Sequence, residues 1–320
     1  MENDKRLSLL GDLLLKSSTP RSRWSSRFET WAKPLSTTED QKCQNAKKVI
    51  SDALDGHKEM AGLNYEICPQ GSYIANTNVR QNSDVDIRVH CSDTFHYKLP
   101  LGLSASDVEI YPATLSFNTY REKVLQVLND RFGSSNVKNG DKAFHISENT
   151  YRINADVVPA FDYREYYWVG SSLYFRTGSC FFSKSDEFIV NWPEQTLANG
   201  KAKNTRTGYR YKKVVRVLKG LRNEMEEKGY SSAKLISSHL IACLAYNISD
   251  RFYGKSELYD DVKSVVGQIW YHTYQSNLSS KWTEIDEIKL LFTSSRLSKV
   301  NEVKDFFWDL MEYAELRDEK

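Results

Sequence analysis

The spacing of apolar residues changes character near Pro193, and no other feature of the chain restricts its fold as much. Before that point, short stretches alternate or run apolar: YEICPQ from Tyr65, DVDIRVHC from Asp84, KAFHIS from Lys142 and RINADVVPAFDY from Arg152. Runs of this length form strands. After it, apolar residues recur every three or four positions, first as Val214, Val217, Leu218, Leu221 and Met225, then as Leu235, Ile236, Leu240, Ile241 and Leu244. Those are helical stripes. Further helices are expected over 260–274 and 297–316. Ahead of the strands, Leu7, Leu10 and Leu14 predict a first helix that breaks between Ser17 and Pro20. A second helix is expected from Thr37 to Gly56, opened by a Thr-Thr-Glu-Asp cap and stopped by the glycine. Another, over 115–132, separates the second strand from the third. The pattern predicts an α+β chain: helices and a mixed β-sheet in residues 1–195, a helical lobe in 196–320, and a ligand site in the cleft between them.

Charge and composition narrow the function. Forty-four Lys and Arg against 42 Asp and Glu leave a formal charge of only +2 in 320 residues. That balance argues against a protein that coats nucleic acid through bulk charge. A chain of this length, 40% apolar, has enough core to exclude disorder as its main state. The longest apolar runs, such as Leu240 to Tyr246, are far shorter than a membrane span. The N-terminal leucines are interrupted by Asp12 and are followed by no small-residue cleavage site, so a cytoplasmic location is expected. Five cysteines (Cys43, Cys68, Cys91, Cys180, Cys243) stand singly, which argues for reduced thiols and against zinc or disulfides. The six histidines form no ligand pair at metal-binding spacing and read as packing or surface residues.

The chemistry is concentrated in carboxylates. Asp84 and Asp86 lie two apart in a strand, so both side chains take the same face, while Val85 and Ile87 point into a core. Two carboxylates held side by side repel unless a cation lies between them, and hard oxygen donors suit Mg²⁺. Just upstream, the apolar strand YEIC ends at Pro69, and the chain then turns at Gly71-Ser72 into a short helix. Glycine lets backbone amides approach a phosphate closely, and the serine adds a hydroxyl. A Gly-Ser turn is by itself an ordinary helix start; followed by an Asp-x-Asp strand it is a much more specific signal. A third acid, Asp156, interrupts the apolar run Ile153, Ala155, Val157, Val158, where an unpaired charge is costly. A metal shared with Asp84 and Asp86 explains it. Asp141 and Asp162 are alternatives, placed at turns or strand ends.

This arrangement resembles the nucleotidyltransferase fold, and most closely the bacterial cGAS/DncV-like nucleotidyltransferases (CD-NTases) of the CdnE branch. The resemblance extends through Ile189-Val-Asn-Trp-Pro-Glu194, Asn199 to Asn204, Tyr211 to Lys219 and Ser237-Ser-His-Leu-Ile241, covering about residues 70–247. It implies a catalytic triad of Asp84, Asp86 and Asp156 holding two Mg²⁺ ions, with Mn²⁺ as a substitute. It assigns Gln70, Gly71 and Ser72 to nucleotide phosphates, and Lys219 and Ser238 to the donor triphosphate. It implies condensation of NTPs (ATP, GTP, UTP or CTP) into a cyclic di- or trinucleotide messenger with release of pyrophosphate. The product would be read by a separate effector protein in CBASS-type antiphage defence, and the enzyme would be a monomer. The runner-up functions are a template-independent transferase making linear oligonucleotides and a catalytically inactive nucleotide-binding scaffold.

Nine Lys or Arg and no acid fall between Lys201 and Arg222. On a helix, Lys212, Arg216 and Lys219 share one face, and a solvated basic surface is the plain expectation for several of them. Beside a polyanionic ligand the cluster suits a triphosphate. With so little net charge, extended duplex binding is not expected. The animal relatives grip DNA through a zinc-bearing insertion, and no cysteine pair here could build one.

Overall fold

The structure, a computed structural model, describes residues 20–79, 84–275, 279–293 and 297–317. In chain order the elements are helices α1 (Pro20–Trp31) and α2 (Thr37–Leu54), strand β1 (Tyr65–Gln70), short helix α3 (Gly71–Ile74), β2 (Val85–Lys98), α4 (Phe117–Phe132), β3 (Val137–Asn139), β4 (Phe144–Ile146), β5 (Ala155–Val169), β6 (Ser172–Phe182) and β7 (Phe188–Asn191). Then follow α5 (Pro193–Arg206), α6 (Tyr211–Glu227), α7 (Ser231–Lys234), α8 (Ser238–Asn247), α9 (Leu258–Tyr274) and α10 (Leu297–Tyr313). The chain divides into two units, residues 35–197 and residues 1–34 with 198–320.

The first unit is built on a seven-stranded sheet of order β1-β2-β5-β4-β3, with β6 on the later part of β5 and β7 on β6. β2 and β5 run parallel, and the other pairs are antiparallel. The strand residues that alternate with the carboxylates form the core face: Val85, Ile87, Val89, Val157 and Phe161 are all essentially buried. Helix α4 supplies Tyr120, Val124, Val127 and Leu128, and the Tyr120 hydroxyl donates to the Val89 carbonyl at 3.0 Å. Helix α2 contributes Ala46, Ile50 and Leu54. Its cap lies one residue earlier than the threonines suggested: the Ser36 side chain accepts from the Glu39 amide, and the Glu39 carboxylate accepts from the Ser36 amide at 2.8 Å. With one face sealed by helices, each strand must present its alternate residues on the other, and these include the acids.

The second unit is helical around one apolar core. The expected stripe of α6 (Val214, Val217, Leu218, Leu221, Met225) is buried against Leu244 of α8, Val262, Val266 and Ile269 of α9, and Phe306 and Leu310 of α10. Helix α1 was not expected from the sequence, and it belongs here, whereas the sequence reading assigned residues 1–195 to the sheet lobe. The reason is packing: Trp24, Phe28 and Ala32 lie in this same core, and buried Arg216 donates to the Ala32 carbonyl at 2.8 Å just past the end of α1. Arg216 and Lys219 are 5% and 4% exposed, so this part of the basic cluster is not the solvated face the spacing suggested. The leucine helix expected before Ser17 lies outside the described residues. Among those described, no helix is long and apolar enough to cross a membrane.

Candidate active site

Strand β1 ends where Gln70 pairs with Asp86, and the chain leaves the sheet through Gly71 at a φ of +68°. This left-handed backbone is open to glycine at no steric cost. Space demands glycine as well, because a Cβ at position 71 would lie 1.9 Å from Asp86 Oδ2. The turn thus closes directly on the Asp86 carboxylate. Ser72 follows, half-buried, in a short helix anchored by the Tyr73 hydroxyl, which donates to Asp40 at 2.8 Å. Gln70 stands at the N-cap position without a side-chain capping bond.

Asp86 on β2 is the register partner of Asp156 on β5. Opposed residues on neighbouring strands share a face, so the two carboxylates stand side by side. Asp84 is exposed one residue ahead of β2, next to the Val85 amide that donates to the Asn154 carbonyl at 3.0 Å. Burial raises the Asp156 carboxyl above the usual carboxylate range; a bond from His145 opposes the shift, and the negative charge of Asp84 adds to it. Farther along the same face, buried Arg88 donates to Glu194 at 2.9 Å, and His90 is hydrogen-bonded to Asp162. Asp162 therefore lies inside β5, paired with Ser179 of β6, and not at the strand end expected. Asp141 is in the turn after β3, as expected.

The other two sequence candidates belong to the helical unit. Lys219 is buried on α6. Ser238 is the first residue of α8, but Ser237 does the capping, accepting from the Leu240 amide at 3.2 Å. The Ser238 hydroxyl accepts instead from Arg222 at 2.7 Å, and Arg222 is also paired with Glu226.

A family model of the cGAS/DncV-like nucleotidyltransferase C-terminal helical domain matches residues 198–315. The cyclic dipyrimidine nucleotide synthase CdnE of Legionella pneumophila is 38% identical over 91% of this chain and 98% of its own length. The cyclic GMP-AMP synthase CdnE03 of Staphylococcus schleiferi is 32% identical over 92% and 97%. The solved structure of the Rhodothermus marinus CdnE c-UMP-AMP synthase with Apcpp and Upnpp aligns with a TM-score of 0.76 at 27% identity, covering 92% of this chain and 99% of that one. The chain belongs to the CdnE branch of the cGAS/DncV-like nucleotidyltransferases.

In a nucleotidyltransferase of this family the metal question is decided by the donor set. Among the described residues, no three His, Cys, Asp or Glu side chains are gathered closely enough to cage a metal unaided. The pair Asp86 and Asp156, opposed in register, nonetheless has the oxygen donors that suit Mg²⁺, an ion that binds through one or two carboxylates and completes its shell with substrate phosphates and water. They fit a resident structural metal poorly. Sequence reasoning missed His145, whose Nδ1 is 2.5 Å from Asp156 Oδ1. The signal was the Phe-His-Ile alternation of β4, which turns the histidine away from the core. Arg222 was counted in the basic cluster but not linked to Ser238.

Proposed function

We propose that this nucleotidyltransferase condenses NTPs into a cyclic di- or trinucleotide messenger with release of pyrophosphate, using Mg²⁺ at Asp84, Asp86 and Asp156. The reading is carried by one observation: Asp86 and Asp156 oppose each other across two parallel strands while Gly71 closes on Asp86. Phosphoryl transfer depends on in-line positioning and charge neutralisation more than on covalent chemistry. In this scheme Asp84 and Asp86 hold the metal side of the donor triphosphate, and Gly71 and Ser72 bracket its outer phosphates with Gln70 beside them. Lys219 and Ser238 are the helical unit's candidates for binding a nucleotide triphosphate. Asp156 faces the acceptor ribose hydroxyl and is the carboxylate placed to take its proton. When bound, Mg²⁺ neutralises phosphate charge and makes the attacking hydroxyl more acidic. Similar proteins bear names specifying dipyrimidine, dipurine, GMP-AMP and UMP-AMP products, so family membership leaves the base choice open. The same proposal includes a monomeric, cytoplasmic enzyme whose product is read by a separate effector in CBASS-type antiphage defence.

The test is to incubate the protein with all four NTPs and Mg²⁺, treat with phosphatase, and resolve the products by chromatography. Small phosphatase-resistant products are expected. A ladder of linear oligonucleotides would overturn ring closure. No conversion in any NTP combination, with Mg²⁺ or Mn²⁺, would mean a nucleotide-binding scaffold or a missing activator.

A further inference from the structure

Strand β4 has three residues, and its register on β5 places His145 directly opposite Asp156. Phe144 and Ile146 are 0% and 1% exposed on the core face, so the His145 ring must project from the carboxylate face. There Nδ1 lies 2.5 Å from Asp156 Oδ1. An ionised carboxylate only accepts hydrogen bonds, so Nδ1 carries the proton in this pair whether the ring is neutral or charged.

The His145 side chain is 47% exposed, and the turn at Gly140 passes close to its far side. A Cβ at Gly140 would lie 2.5 Å from His145 Nε2 and 2.8 Å from Cδ2, so the turn between β3 and β4 closes over the imidazole only because residue 140 is glycine. That turn is fixed from two directions. Arg121 of α4, 9% exposed, donates to the Gly140 carbonyl at 2.7 Å and to Asn139 Oδ1 at 3.1 Å. Lys184 donates from its side chain to the Asn139 carbonyl at 2.6 Å and from its backbone to Asp141. A histidine at the surface for solubility alone requires no such support.

We propose that His145 is a positioning residue for the transfer reaction. Its Nδ1–H holds Asp156 Oδ1, which fixes the rotation of the carboxylate and would leave the second oxygen to a bound cation and the acceptor hydroxyl. This rests on the reading of Asp156 as the third carboxylate of the site. Partners that orient a metal-binding carboxylate typically contribute 10- to 100-fold in metal affinity or activity.

Three substitutions separate the bond from the bulk. His145→Phe keeps a ring without the donor, His145→Ala removes both, and His145→Asn restores an N–H near the Nδ1 position. Each is compared with wild type for kcat and KM, for Mn²⁺ affinity by electron paramagnetic resonance in the presence of a non-hydrolysable NTP, and for thermal unfolding. His145→Phe and His145→Ala should lower kcat about 10- to 100-fold and weaken Mn²⁺ binding, with KM for NTP changed less than threefold. His145→Asn should recover most of both losses. If His145→Phe and His145→Ala retain wild-type Mn²⁺ affinity and kcat, or if His145→Asn rescues neither, the positioning role is overturned. A drop in melting temperature with unchanged Mn²⁺ affinity also overturns it. Asp156→Asn is measured alongside: if that variant still turns over, the assignment of Asp156 fails and His145 falls with it. If it is inactive while the His145 variants behave as wild type, only the histidine inference is lost.

Discussion

Replacing Gly71 by alanine isolates the contact on which the proposed site depends. Two separate effects are expected. A non-glycine residue at a φ of +68° strains the backbone, at a cost of about 1–2 kcal/mol, part of which is offset because alanine is less free than glycine in the unfolded chain. The added Cβ would also stand 1.9 Å from Asp86 Oδ2 and 2.8 Å from Cγ. The strand cannot yield, because Val85 and Ile87 on either side are 0% exposed in the core. Only the Asp86 carboxylate can rotate away, by more than an ångström. Displacements of that size at a reacting centre cost on the order of 100-fold in rate, about 3 kcal/mol of barrier. Gly71→Ala should therefore lower the melting temperature by only a few degrees while reducing pyrophosphate release about 100-fold or more. The control is Gly62→Ala, which carries a φ of +76° with no atom within 4 Å of the added methyl. It should show a similar loss of stability and wild-type turnover. If Gly71→Ala turns over like Gly62→Ala, the closure of the turn on Asp86 is irrelevant to catalysis.

The remaining expectations are more briefly stated. Asp84→Ala and Asp86→Ala should each abolish conversion of NTPs, and near-normal product from Asp84→Ala would sink the metal assignment. Lys219→Ala should act mainly on binding, raising KM for NTP about 10-fold or more through loss of a charged hydrogen-bond donor, with a smaller effect on kcat; the reverse split, in steady-state kinetics, contradicts its assignment to the triphosphate. In the helical unit, burial works to raise the Glu284 carboxyl, but the bond from His239 and the charge of Lys289 hold it down at about 2. Its unfolded value is about 4.3, so the stabilisation is present above that pH and is lost as pH falls toward 2, with an upper limit of about 3 kcal/mol. Denaturant unfolding between pH 5 and pH 2 should show a shallower acid loss for Glu284→Gln than for wild type, and equal slopes would disprove the pairing. A Cβ at Gly220 on α6 would meet the Trp31 indole at 2.9 Å, so Gly220→Ala should destabilise by about 1–3 kcal/mol despite the better helix propensity of alanine. A higher melting temperature would refute that.

What was legible in the sequence was whatever a single segment decides for itself. The stripe from Val214 to Met225 and the alternation of Val85, Asp86 and Ile87 each follow from one element burying one face, and both are realised, whereas Asp84 lies one residue before the strand expected to hold it. Helix α1 was missed although Trp24, Phe28 and Trp31 recur at helical spacing, because its other positions are mostly arginine and serine and a helix that short forms only when packed. The core against which it packs comes from residues beyond 210. Arg216 was misread for the same reason. Its place on a polar helix face is a local property, but the Ala32 carbonyl it caps is 184 residues away.

The site itself depends on strand order, which no local pattern contains, yet one element of that order could have been inferred. Strands joined by a crossover that contains a helix run parallel, and here α4, followed by β3 and β4, lies in the connection from β2 to β5. Asp86 and Asp156 each stand at the second residue of their strands. In a parallel pair these beginnings coincide. In an antiparallel pair, the 14 residues of β2 would hold the two carboxylates roughly 40 Å apart. The convergence of Asp86 with Asp156 is thus a consequence of the crossover. His145 required more: a three-residue strand had to be assigned to the free edge of β5 and in the correct register, and a shift of one residue would turn its ring into the core. Carboxylates placed by a crossover can be anticipated from sequence, whereas a partner placed by so short an edge strand is settled only by the folded sheet.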